Sequence, residues 1–327
     1  MGTVPLETRG LDYARAVLES NSDNPSAFLA LNSGNRYFTA PDLDGVIVYR
    51  ESGRRLVQFG GPFGPDGAAL LDRFGAGRRR VVAIQVQAGD VDLYEAAGYT
   101  VNQVGASYAV DLAEFSLRGK RFVRLRNKVS RATRSGLVVT EAAQPEWDGA
   151  MRALDKRWLA AKGKHTKELE FLVGEYGGAA QDARRLFVGT IDGELAGYVS
   201  YSPAYGSRPG WLYDLSRRLP DGPPGIMEAV NSVAMATFRA EGVPWLHFGF
   251  TPFTGLSAEF GAASESGWFA WLVRQLAARG AAVYPSATQL AYKEKWGPHA
   301  VIPEYVAFQG RASLYSFLQV FNAANAL

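Results

Sequence analysis

The sequence contains no cysteine. That excludes a disulfide framework, a thiolate nucleophile and any cysteine-based metal site, and it fits a reducing compartment. Histidine is scarce: His165, His247 and His299 lie far apart, so no metal centre is expected. Long hydrophobic runs are missing too. The longest uncharged stretch, residues 242–258, is broken by Pro244, Pro252 and several glycines and cannot form a bilayer-spanning helix. The first residues, Met1 to Glu7, lack the basic-then-apolar pattern of a signal peptide. These absences point to a cytoplasmic protein that is soluble, or at most peripheral at a membrane.

What is present is globular. An apolar fraction of 47% against 20% charged residues supplies a sizeable core, and 327 residues suit two domains. Apolar spacing predicts a helix around Leu11–Leu18, then β-like runs at 27–31, 36–39, 46–49 and 56–59, ended by Gly60-Gly61-Pro62. A helix over 66–74, a strand over 81–86, a helix over 92–97 and a strand over 107–110 complete an α/β unit. A similar order recurs: helix 120–134, strand 137–140, helix 147–161, strands 186–191, 195–201 and 211–215, helix 226–240, strand 245–248 and helix 268–278. A strand near 306–308 and a helix over 314–321 end the chain. Asp192-Gly193 marks a hairpin between the first two of the three middle strands. The expectation is α/β, with two related halves divided near residue 115 (1–115 and 116–327).

The net charge is only +3, but the cations cluster. Arg118, Lys120, Arg121, Arg124, Arg126, Lys128, Arg131 and Arg134 fall in one stretch that holds no acidic residue. Phe122, Leu125, Val129 and Ala132 repeat at helical spacing and form a core-facing stripe. Lys120, Arg124, Lys128 and Arg131 then share a neighbouring face. Like charges so placed repel by a few tenths of a kcal/mol per pair, roughly, and a polyanion would offset that. A solvated face with acidic neighbours elsewhere in the fold is the plainer alternative.

A second constellation runs from Trp211 to Glu228: a strand, a Gly/Pro loop and a helix. Such a junction presents backbone N–H groups and a helix N-terminus to an anion. On a regular strand Asp214 shares a face with Ser216, not Arg217. A strand ending near Leu215 would let Asp214 and Arg217 enter one cleft, the carboxylate for an ammonium and the guanidinium for a phosphate. A structural Asp–Arg pair closing a turn is the alternative. In a third segment, Tyr292-Lys293-Glu294-Lys295-Trp296, cations flank aromatics in a way that suits nucleic acid, or an exposed strand end with its aromatics in the core. His247 reads as a satisfied core histidine or a substrate contact. Trp268, Phe269 and Trp271 read as helix core. Nothing resembles a Ser-His-Asp triad.

In this order these segments resemble the catalytic C-terminal domain of the phosphatidylglycerol lysyl- and alanyltransferases, the multiple peptide resistance family. The resemblance rests on Asp111–Lys120 with Arg124–Lys128, on Asp214-Leu-Ser-Arg217 with Pro220 and Gly225–Glu228, on Phe248–Leu256, and on Tyr292–Trp296 with Pro298, Pro303 and Tyr305. Residues 164–174 follow the family more loosely. The family implies tandem acetyltransferase-like (GNAT-like) domains with mixed central sheets, and transfer of an aminoacyl group from charged tRNA to a hydroxyl of phosphatidylglycerol. By resemblance Asp214, Arg217 and Glu294 are catalytic. Tyr292, Lys293, Lys295, Glu228 and His247 line the substrate cleft. Lys120, Arg121, Arg124, Arg126, Lys128 and Arg131 meet tRNA or lipid headgroups. No cofactor is implied, since the charged tRNA is itself the co-substrate, and an aminoacyl ester needs orientation and a proton acceptor, not a covalent intermediate. The acceptor stays open between a lipid hydroxyl and a small amine. Two other classes remain: an acyl-coenzyme-A N-acyltransferase, for which the Gly-rich pyrophosphate loop is missing, and a non-catalytic RNA- or membrane-surface-binding protein.

Overall fold

The computed structural model describes residues 9–163, 169–279 and 286–326. Eleven described strands form one mixed sheet: β1 (Arg36–Ala40), β2 (Leu43–Ser52), β3 (Arg55–Phe63), β4 (Arg80–Gln87), β5 (Tyr99–Asp111), β6 (Val138–Ala142), β7 (Arg185–Ile191), β8 (Glu194–Ala204), β9 (Gly210–Arg218), β10 (Trp245–Pro252) and β11 (Ala300–Gln309). Their spatial order is β1-β2-β3-β4-β11-β5-β10-β9-β8-β7-β6. The α/β class and the mixed sheet are as the sequence indicates. The two halves share one sheet, however, and β11 from the end of the chain pairs antiparallel with both β4 and β5 of the first half.

Each half contributes one parallel pair, and each pair opens part-way along. β3 and β4 stay in register to Phe59 and Ile84, and β9 and β10 only to Leu212 and His247. Beyond those points lie Gly60 and Gly249, both with positive φ. Buried polar side chains gather around these openings, among them Gln58, Gln85, Ser202, Thr251 and Glu304.

Nine described helices cover the two faces: α1 (Leu11–Asn21), α2 (Gly67–Gly75), α3 (Val91–Ala96), α4 (Val123–Arg134), α5 (Asp148–Lys162), α6 (Ile226–Ala240), α7 (Gly267–Arg279), α8 (Ser286–Glu294) and α9 (Leu314–Ala323). Strand alternation sorts them. Leu212 belongs to the core shared with α1, α7 and α9, while Trp211 and Tyr213 belong to the core beneath α4 and α6. On β7, Phe187 faces α6, and Leu186 and Val188 face α5. The Asp192-Gly193 hairpin forms as its sequence predicts, with both residues at positive φ.

Several elements differ from expectation. Residues Ala27–Leu31 form a buried 3-10 turn, not a strand. An all-apolar pentapeptide can be buried on all sides, and the Asn24 side chain organises its start by accepting from the Ser26 N–H at 2.8 Å. The strand expected at 107–110 is the end of a thirteen-residue central strand. Tyr292, Lys293 and Glu294 end a helix and do not form a strand end. Trp268 and Trp271, expected in the core, are 50% and 58% exposed, and only Phe269 of that run is buried.

Candidate active site

Asp214 and Arg217 do reach the same face of the sheet, by a route the sequence does not reveal. The strand does not end near Leu215. The register between β8 and β9 instead slips at Asp214: Tyr201 faces Tyr213 and Ser200 faces Leu215, leaving Asp214 as the extra residue of a β-bulge. Past the bulge, Arg217 points to α5, where its Nε lies 3.7 Å from Asp155 and its guanidinium sits 4.2 Å over the Trp158 ring.

Asp214 has a partner other than Arg217. Its Oδ2 accepts from Arg184 Nε at 3.3 Å, and the two side chains are 1% and 0% exposed. Arg184 also donates to Asn32 Oδ1 at 2.7 Å and stacks over Phe28. Burial pushes the Asp214 carboxyl above its ordinary range, with Arg184 and the Ser202 hydroxyl pulling the other way. The bare backbone of Gly174 covers it, since a Cβ there would lie 2.0 Å from Oδ1. The loop carrying Gly174 is tied down by Asn32 Nδ2 to Val173 O, by the Ser33 N–H to Glu175 and by Arg50 to Glu170. Sequence patterns do not single out Arg184, Asn32 or Ser202, and they reach Gly174 only as the end of the loosely matching segment 164–174. An arginine at the start of an apolar strand was the one local signal. The more loosely matching residues 164–168 lie outside the described residues.

On the opposite face, Glu228 sits in the first turn of α6, where a carboxylate complements the helix N-terminus. Its Oε1 accepts from Lys128 at 3.0 Å and from Lys295 at 2.8 Å. Burial raises its pKa, but the two ammonium groups outweigh that and leave it below its ordinary value. Gly225 makes this junction possible: at φ +99° it passes so close to the Lys128 carbonyl that a Cβ would lie 2.1 Å from the oxygen. Lys295 also sits 4.3 Å over the Tyr292 ring, and the Tyr292 hydroxyl donates to Tyr213 at 3.3 Å. Trp296 is fully buried and stacks on Phe248, so its ring is closed to a nucleic acid base, while Tyr292 is half-buried.

Lys293 is buried between these regions. Its Nζ donates to the carbonyls of Gly249 and Phe250 at 2.6 and 3.0 Å, bracing the bulge where β10 leaves β9. Burial lowers it to about 7, while the charge of Glu304 opposes that. Glu304, buried and accepting from Ser107, is raised by burial to about 7. His247 is fully buried, with Nε2 against the Arg208 carbonyl at 2.8 Å, and burial lowers it to about 4. It is a core histidine held neutral. Glu294 is exposed on α8, across the sheet from Asp214.

The basic helix forms with the stripe as expected, Leu125 and Ala132 being buried and Phe122 and Val129 partly so. Its first turn, Lys120–Phe122, is 3-10. Lys120, Arg121, Arg124, Arg126, Lys128 and Arg131 are all exposed. Among the described residues only Lys128 of these pairs with a carboxylate, and Arg126 donates to the carbonyls of Leu117 and Gly119.

The sequence profile of the family "Phosphatidylglycerol lysyltransferase, C-terminal" matches residues 14–308. This chain belongs to that family. A phosphatidylglycerol lysyltransferase of Bacillus subtilis (strain 168) is 25% identical over 309 residues, covering 91% of the chain and 35% of the relative. The chain thus spans about a third of the length of that relative. Among solved structures, the C-terminal domain of a putative lysylphosphatidylglycerol synthetase from Agrobacterium fabrum has a TM-score of 0.77 at 22% identity, covering 97% of this chain and 98% of that one. L-PGS from Bacillus licheniformis also has a TM-score of 0.77 at 22% identity, covering 98% of each chain. At that identity the structures establish a shared fold. No described helix is long and apolar enough to cross a membrane.

Proposed function

We propose that this chain is an aminoacyltransferase that takes an aminoacyl group from a charged tRNA and passes it to a hydroxyl of phosphatidylglycerol. The observation that carries the reading is the row of exposed cations on α4, largely without carboxylate partners among the described residues, in a chain whose relatives are named as lysyltransferases of this lipid. Unpaired cations spaced along a helix suit a phosphate backbone. The reaction is an ester exchange. The acceptor oxygen attacks the aminoacyl carbonyl, the bond to the tRNA ribose oxygen breaks, and the proton of the attacking hydroxyl is passed on to that leaving oxygen.

Asp214 and Arg217 would hold the aminoacyl end on the α5 face. A carboxyl whose proton affinity is raised by burial accepts a proton more readily than a solvated one. Because Gly174 covers Asp214, a ligand would enter by displacing that loop. Glu228, Lys295 and Tyr292 would act from the other face, at the base of α4. Domain halves of 1–115 and 116–327, cytoplasmic placement and contact at the membrane periphery go with this reading.

The test is transfer of radiolabel from a mixture of charged tRNAs to phosphatidylglycerol, with uncharged tRNA binding measured across salt. The expected outcome is labelled lipid and a log–log salt slope that Arg124→Gln and Arg131→Gln each reduce by about one. Label that stays on tRNA with every acceptor, lipid or amine, would sink the proposal.

A further inference from the structure

The outward faces of α7 and α9 leave a large apolar surface in water. Trp268 and Trp271 on α7 are 50% and 58% exposed, and Leu314, Tyr315 and Leu318 on α9 are 50%, 43% and 40% exposed. The two helices are neighbours: beneath the exposed residues, the Phe269 and Phe317 rings pack at 5.0 Å. Single exposed apolar residues need no explanation, but five on adjoining helices mark an interaction surface.

The chemistry around the patch selects its partner. Neither helix carries an acidic residue. Four arginines border the patch: Arg274 on α7, Arg311 just before α9, and Arg54 and Arg55 from the β2–β3 turn. That turn is bound to α9, since the Arg54 N–H donates to the Tyr315 hydroxyl at 3.2 Å, Arg55 Nε donates to Ser316 Oγ at 2.8 Å, and the Arg55 guanidinium lies 4.9 Å over the Tyr315 ring. Tryptophan and tyrosine with leucine between them, on two helices without carboxylates and edged by arginine, match the interface of an anionic bilayer: rings at headgroup depth, leucines in the acyl boundary, guanidinium groups on phosphates. Glu265, ahead of α7, and Glu170, at the end of α9, are outnumbered by these arginines, an excess of cations that a protein partner would not require. The patch lies on the face of the sheet opposite α4.

We infer that α7, α9 and the β2–β3 turn form a docking face for an anionic phospholipid surface. This rests on the proposed lipid acceptor for its purpose, but its test uses no tRNA. The chain is mixed with vesicles of phosphatidylcholine alone or with phosphatidylglycerol added, and sedimentation is combined with quenching of tryptophan fluorescence by lipids brominated in their tails. Expected are binding to the anionic vesicles alone, quenching, and at least a tenfold loss of partitioning for Trp268→Gln with Trp271→Gln and for Leu314→Ser with Leu318→Ser. Both double variants change exposed side chains, and an unchanged melting temperature confirms that they fold. Equal binding by wild type and both variants overturns the inference. So does a dimer of the chain that the same substitutions dissolve, since a second copy would then be the occupant. Transfer to a dispersed short-chain phosphatidylglycerol is read separately, so a failure of docking is not mistaken for a failure of the transfer reading.

Discussion

Gly174 rests directly on the Asp214 carboxylate: a Cβ on the glycine would lie 2.0 Å from Oδ1 and 2.2 Å from the carboxyl carbon. Asp214 cannot retreat easily, because Arg184 holds its other oxygen from within the core. Gly174→Ala should therefore either displace the loop or break the ion pair. The expected result is a loss of about 1–3 kcal/mol in urea unfolding, as for other overpacked sites, with a fall in aminoacyl transfer. A variant as stable and as active as wild type would show that the carboxylate has room to move.

Glu228 makes stability depend on pH in a known direction. Its folded pKa lies below its ordinary value, with Lys295 and Lys128 outweighing burial. Its contribution is present above the unfolded carboxylate value of about 4.3 and is lost as pH falls through the folded value. Thermal melts from neutral to acid pH should fall less steeply in Glu228→Gln than in wild type below that value. At neutral pH the variant should be the less stable of the two. Parallel curves would mean that the ammonium groups do not stabilise this carboxylate.

Lys293 braces the opening between β9 and β10 through the carbonyls of Gly249 and Phe250. Lys293→Met fills similar space but donates nothing, and a buried acceptor left unmatched costs about 1–3 kcal/mol. Equilibrium unfolding should show a loss in that range. A methionine variant with wild-type stability would show that the bulge holds without the brace.

Patterns local in sequence translated directly into structure. The apolar stripe Phe122–Leu125–Val129–Ala132 buries as its spacing requires, and Asp192-Gly193 turns the β7–β8 hairpin. What was hidden depends on distant partners. Asp214 is set by Arg184, thirty positions earlier, and through it by Asn32. The bulge that turns Asp214 and Arg217 to one face belongs to the pairing of two strands, not to either alone. Period-3.6 spacing places Trp268 and Trp271 on a helix, but it cannot reveal that no described element covers their side of it. Apolar content likewise cannot separate a strand from the 3-10 turn at Ala27–Leu31, since both bury such a run completely.

The position of β11 bears on how the chain is made. β4 and β5 leave the ribosome well before the strand that joins them, which spans Ala300–Gln309. Until then the facing edges of β4 and β5 have no permanent neighbour, and unpaired edges recruit other chains. The nascent first half must wait for β11, so a ribosome-bound fragment that ends near residue 115 would hold both of those edges open.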